Sequence, residues 1–164
     1  MAYTTINKST DYFNTITYTG NGSARSITGV GFQPDFVWVK SRNDTYWHNV
    51  LDAVRGVTKV IVPNEDSAES TRSTGLTAFG ADGFSVGTDG NFNGNNDTYA
   101  VWNWKAGGGQ GSSNTDGSIN TTYTSANTTA GFSIVEWTGT GSAGTLGHGL
   151  GVTPNWVIVR NRDG

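Results

Sequence analysis

Phe13 to Asp44 reads FNTITYTGNGSARSITGVGFQPDFVWVKSRND, and Phe132 to Gly164 reads FSIVEWTGTGSAGTLGHGLGVTPNWVIVRNRDG. The chain states one pattern twice. Thr19-Gly20-Asn21-Gly22-Ser23-Ala24 lies over Thr138-Gly139-Thr140-Gly141-Ser142-Ala143. After one inserted residue, Pro34-Asp35-Phe36-Val37-Trp38-Val39-Lys40 lies over Pro154-Asn155-Trp156-Val157-Ile158-Val159-Arg160. A repeat of this length is a whole domain rather than a solenoid turn, so it implies domains in series. The second copy covers only the first part of the unit. Either the chain is a fragment, or its C-terminal strands complete another subunit.

Working outward from the repeat, alternation with a period of two dominates, which is the signature of strands. Phe13 to Tyr18 is β-branched and aromatic, and Gly20-Asn21-Gly22 reads as a tight hairpin turn with Ser26 to Val30 returning. Asp35 to Lys40 is apolar on both faces and reads as a central, doubly buried strand. Leu51 to Gly56 suggests one helical turn, Val57 to Val62 a strand, and Pro63 to Thr74 an exposed polar loop. In Thr98 to Lys105 (TYAVWNWK), Tyr99, Val101 and Asn103 share one face, while Ala100, Trp102 and Trp104 share the other. Ala106 to Ser113 has the composition of a flexible linker.

The predicted fold is therefore all-β: an antiparallel β-sandwich, jelly-roll-like, with a second incomplete copy. Unit one is expected over residues 1–105, a Gly/Ser-rich linker over 106–117, and the N-terminal part of unit two over 118–164. Phe13, Phe36, Trp38, Val101 and Trp102 are the expected core, with Trp104, Trp137 and Trp156 read the same way.

Composition narrows the function classes. Among 164 residues there are six Trp, 24 Gly and no Cys, and only 14% are charged. Without Cys there are no disulfides, thiolate zinc sites or cysteine nucleophiles. A net charge of −3 with scattered Lys and Arg gives no footprint for nucleic acid or a polybasic membrane anchor. No apolar run approaches the roughly 20 residues needed to span a bilayer, and residues 1–10 carry no signal-peptide pattern. A protein that looks extracellular yet lacks an export signal fits a phage particle released by lysis.

Three chemistries can be weighed. For catalysis, the only histidines are His48 and His148, and no acid or nucleophile is nominated beside either. Glu65, Asp66 and Glu69 read as a solvated acidic loop, so no catalytic residues are assigned. For metal, Asp89-Gly90-Asn91-Phe92-Asn93-Gly94 matches the first half of a calcium loop. That makes Asp89, Asn91, Asn93, Asn95 and Asp97 calcium candidates, although Ala100 stands where the bidentate Glu belongs, and a long Asn/Gly loop is the competing reading. For sugar, Tyr46, Trp47, His48 and Phe92 are candidate platforms, since lectins set an aromatic face beside a few polar groups. The competing reading tucks Trp47 into the core. No other cofactor is suggested.

The motif string TYTGNGSARSITGVGFQPDFVWVKSR, LDAVRG, DGFSVG, TYAVWNWKAGG and SANTTAGFSIV resembles a repeat from marine bacteriophage proteins. These cyanophage and pelagiphage sequences are labelled tail-fibre-like or virion structural, and their repeats often stand beside lectin-like domains. The resemblance covers almost the whole chain. It implies a jelly-roll-like sandwich on a virion appendage, located on the particle, with no known catalytic residues. Homo-oligomeric or other virion proteins and host-surface polysaccharide are the partners that follow. The rivals are a secreted bacterial adhesin or carbohydrate-binding module, and an extracellular filament subunit whose half-copy donates a strand.

Overall fold

The structure is a computed structural model that describes residues 6–164. Eleven strands form in chain order: β1 (Phe13–Thr19), β2 (Arg25–Thr28), β3 (Phe36–Ser41), β4 (Asn49–Asp52), β5 (Lys59–Val60), β6 (Ser70–Thr71), β7 (Leu76–Gly80), β8 (Gly83–Val86), β9 (Thr98–Trp104), β10 (Tyr123–Asn127) and β11 (Phe132–Glu136). The one α-helix among the described residues, α1 (Gly90–Asn93), is a single turn, and a 3-10 turn spans Ser9–Asp11. The all-β expectation is met.

Every strand pair is antiparallel. One sheet runs β1-β9-β3-β4, and an isolated bridge from Val50 to Ile61 carries it on toward the β5–β6 hairpin. The second sheet runs β2-β8-β7. The core lies between the two. Val37, Val39, Leu51, Tyr99 and Val101 from the first sheet meet Ile27, Leu76, Phe84 and Val86 from the second, with Phe92 of α1 among them. Each such burial stabilises by about 1.5–3 kcal/mol. Strand alternation dictates this selection: in β9 the residues Tyr99, Val101 and Asn103 are buried, while Trp102 and Trp104 point the other way.

That alternation corrects the predicted core. Val101 is fully buried, but Phe13 is 37% exposed on edge strand β1, and Phe36, Trp38, Trp102 and Trp104 are only half-buried. They form an aromatic layer on the outer face of the first sheet, not the inter-sheet core. Phe13 and Phe36 lie 4.7 and 5.2 Å from Trp104, and Trp38 lies 6.4 Å from Trp102. The β10–β11 hairpin of the second copy covers one end of this layer. Its Phe132 stacks on Trp104 at 6.2 Å and meets Phe36 edge-on at 5.9 Å.

A chain of ion pairs joins the same two parts. Asp52 accepts from Arg55 Nε at 2.6 Å, Arg55 Nη1 reaches Glu69 at 2.9 Å, and Glu69 also accepts from Arg162 Nη2 at 2.9 Å. Arg162 closes the chain on Glu136 of β11. Glu69 is thus not part of a solvated acidic loop. Burial acts to raise its carboxyl pKa, but hydrogen bonds from Arg162 and Arg55 outweigh that and hold it below the ordinary range. Asp66 does remain exposed.

Several local expectations differ. Gly20-Asn21-Gly22 is not a hairpin: β1 and β2 belong to different sheets, and the turn carries the chain between them. Gly20 N donates to Asp97 O at 2.7 Å and Gly22 N to Asn93 O at 2.9 Å. Gly22 (φ 69°) and its counterpart Gly141 (φ 74°) share left-handed backbone, so the turn itself repeats. Among the described residues, β11 pairs with β10 and β1 pairs with β9. Tyr3-Thr4-Thr5, the counterpart of β10 in copy one, lies outside the described residues. The 51–56 segment is the end of β4 followed by a turn. The linker is pinned rather than free: Ala106 N and Gly108 N donate to Asp35 Oδ2 at 2.7 and 2.9 Å, and Gln110 reaches Val54 O at 3.1 Å.

The largest departure is at Asn155 to Arg160, where no strand forms. Its counterpart β3 is held by β9 on one side and β4 on the other, and among the described residues no strand pairs with 155–160. Trp156 is 78% exposed, and Val157, Ile158 and Val159 are 65–66% exposed. Trp137 is half-buried.

Candidate functional site

An open groove of about 290 Å³ is lined by Thr45, Tyr46, Trp47, Arg72 and Asn91. It brings together two residues predicted as a sugar platform and one predicted as a calcium ligand. The loop between β3 and β4 supplies the aromatics. Arg42 N donates to Thr98 O at 2.7 Å, and Asn43 Oδ1 accepts from Thr98 N at 2.7 Å, which ties the loop's start to β9. At its end the buried Asn49 donates to Trp47 O at 2.9 Å. The loop is therefore fixed at both ends, and Trp47, 49% exposed, is presented rather than tucked into the core.

The opposite wall is the first turn of α1. Asp89 caps it, accepting from Asn91 N at 2.8 Å and Asn91 Nδ2 at 3.0 Å. The Asn91 amide is thereby oriented with its oxygen turned away from Asp89. Tyr46 packs closely here: a Cβ at Gly90 would meet its hydroxyl at 2.7 Å, so a larger residue there would push the phenol aside. Arg72 is held by Asp89 Oδ2 at 3.3 Å. Half-exposed indole, phenol, amide and guanidinium thus line one concavity, the combination that stacks on a sugar ring and hydrogen-bonds its hydroxyls.

The remaining predicted residues are elsewhere. Phe92 is fully buried in the core and cannot serve as a platform; α1 turns it inward. His48 belongs to the outer aromatic layer, where its Nδ1 accepts from Trp38 Nε1 at 2.9 Å. That bond leaves the proton of the neutral ring on Nε2. Burial, and then the nearby Lys40 ammonium, lower its pKa.

Several of the calcium candidates have partners within the protein. Asp89 serves α1 and Arg72. Asn93 is fully buried, with Nδ2 donating to Ser23 O at 2.7 Å and Gly87 O at 2.8 Å and Oδ1 accepting from Asn21 N at 3.1 Å. Asn95 is exposed, and Asp97 faces the Tyr99 hydroxyl at 3.5 Å. Among the described residues, no group of three or more His, Asp or Glu side chains is placed to hold a metal ion. Burial pushes the Tyr99 phenol up to about 12, and the hydroxyl bridges Gly94 N at 2.8 Å and Gly90 O, bracing α1.

Arg72 and Thr45 were missed in the sequence. A lone Arg among Ser and Thr carries no periodic signal, and its part in the groove depends on the distant α1.

No curated protein and no solved structure matches this chain. One family profile does, over residues 8–164. The chain belongs to the family described as Domain of unknown function (DUF7483).

Proposed function

We propose that this chain is a virion structural protein, a repeat domain of a phage tail fibre, spike or capsid appendage, which contacts host-surface glycan through the Trp47 groove. The observation that carries this reading is the tandem repeat: a finished sandwich followed by a half-copy whose hairpin packs Phe132 onto the first unit's aromatic layer. Serial β-domains in firm contact suit a load-bearing fibre better than a free enzyme. The resemblance of the motif string to marine phage repeats points the same way. The partners are other copies or other virion proteins, together with a polysaccharide; no helix is long and apolar enough to cross a membrane among the described residues. No catalysis is assigned.

Antibody raised against residues 6–105 and detected with gold on purified particles tests the placement. Gold on appendages is expected. Gold confined to the host envelope or the particle-free medium would favour a secreted adhesin with a carbohydrate-binding module, which the same groove would serve.

A further inference from the structure

Arg72 stands at the wall of the Trp47 groove with most of its donors unused. Its backbone is fixed just past β6: Arg72 N donates to Thr58 O at 2.9 Å, and Arg72 O accepts from Gly75 N at 3.0 Å. A guanidinium is a planar fork of donors with no acceptor. Among the described residues its side chain makes one hydrogen bond, Nη1 to Asp89 Oδ2 at 3.3 Å, and the enclosed Nε has no partner. Charge-assisted bonds of this kind close to about 2.7–2.9 Å when well formed, so this one is loose.

The pair is also asymmetric. Asp89 is the more enclosed partner, its side chain 14% exposed against 25% for Arg72. Its Oδ1 is already engaged by Asn91 N and Asn91 Nδ2, at 2.8 and 3.0 Å. Arg72 is among the residues that line the groove, and Asp89 is not. The carboxylate therefore serves the protein while the cation meets the groove. Beside it stand the half-exposed Trp47 indole and the neutral polar groups of Thr45, Tyr46 and Asn91. The lining thus offers a cation and an open aromatic face, with no anion.

With the Trp47 groove taken as a glycan site, the reading on which this step rests, we propose that its ligand is an acidic glycan. The recognised unit is a uronate sugar, whose carboxylate pairs with Arg72 while its ring stacks on Trp47. A uronate carries its carboxylate at the ring edge, so one sugar presents an apolar face and an anion together. The planar guanidinium fork matches a carboxylate, which a neutral hydroxyl cannot replace. The loose Asp89 contact is the one that the ligand exchanges for a shorter bond. Asp89 keeps both of its bonds to Asn91, so α1 stays capped. A lone cation neutralises one charge, which favours spaced carboxylates over a densely sulfated chain.

The test titrates the intact chain with short oligosaccharides of glucuronate, galacturonate and mannuronate, each beside its carboxyl-reduced neutral counterpart, and follows the Trp47 indole N–H. At least one uronate should bind about tenfold or more tightly than its neutral counterpart, the scale of a hydrogen bond to a charged group. That excess should shrink as salt rises from about 20 to about 500 mM, because a partly exposed ion pair is screened. Arg72→Gln should bring the two forms within about twofold of each other, and Arg72→Lys should keep part of the difference, since charge survives without the fork. Asp89→Asn retains a capping oxygen and removes the competing carboxylate, so it should widen the preference. The proposal is overturned, with the glycan groove left standing, if neutral forms bind as tightly as their uronates or if the preference survives Arg72→Gln. A preference that narrows in Asp89→Asn overturns it too. So does a Trp47 signal that responds to host-surface polysaccharide and to none of the uronates. Silence toward every oligosaccharide and the polysaccharide alike would sink the glycan reading itself, and this proposal with it.

Discussion

Asn93→Asp separates two readings of the 89–97 loop. As a calcium loop, an added carboxylate at the third ligand position strengthens the site. In the structure, Asn93 is instead a fully buried clasp: its amide donates to Ser23 O and Gly87 O, and its oxygen accepts from Asn21 N. A carboxylate keeps the acceptor and loses both donors, so two carbonyls face an oxygen. Each unsatisfied buried group costs about 1–3 kcal/mol, which gives about 2–6 kcal/mol before any cost of burying charge. Set against a typical domain stability of about 5–15 kcal/mol, this is large. The introduced carboxyl would have its folded pKa raised by burial. Its penalty is therefore smallest below the unfolded value of about 3.9 and grows as pH rises through and above it. Urea unfolding at pH 7 and at the lowest pH where the parent stays folded, each with and without calcium, measures all three. A variant as stable as the parent at pH 7, or one that calcium stabilises, would refute the clasp.

Further outcomes follow from the same contacts. Arg55→Met should cost about 3–5 kcal/mol in chemical unfolding, because Asp52 would stay buried without its cation and Glu69 would keep only Arg162. Val37→Lys should prevent folding whereas Val157→Lys at the matched position should leave the melting temperature unchanged, since the first is buried and the second exposed. Phe92→Ala should cost about 3–5 kcal/mol, and Trp102→Ala on the half-open outer layer should cost less. Glu69, whose folded pKa is depressed, contributes stability above its ordinary pKa of 4.5 that is lost as pH falls below it. Tryptic cleavage after Arg160 and Arg162 should accordingly speed up in acid relative to a denatured control, and Glu69→Gln should remove that pH dependence.

Much of the fold was legible because strands write their faces into alternate residues. β9 is the clearest case: Tyr99, Val101 and Asn103 were read on one face and all three are buried together. What alternation does not say is which face meets the other sheet. The larger aromatics Trp102 and Trp104 suggested the core, yet they lie on the outer face of the first sheet, where the hairpin of the second copy covers Trp104 and Trp38 flanks Trp102. Gly20-Asn21-Gly22 signalled a turn correctly but not its partner strand, since pairing is set by distant residues. Asn155 to Arg160 failed for the same reason: its pattern is that of a strand, but a strand forms only beside neighbours. In the groove, Tyr46 and Trp47 were visible as aromatics in a polar loop. Arg72 came to them only through the folding of α1, and Phe92 left them for the core.

The proposed glycan contact is tested most directly at one resonance, the indole N–H of Trp47, during titration with purified polysaccharide from the host surface. A ring that stacks on sugar should shift progressively and saturate, and Trp47→Ala should abolish binding while leaving the melting temperature unchanged, as expected for a half-exposed side chain. Saturable binding that persists in Trp47→Ala, or a Trp47 signal that does not move while the polysaccharide binds, would contradict the account.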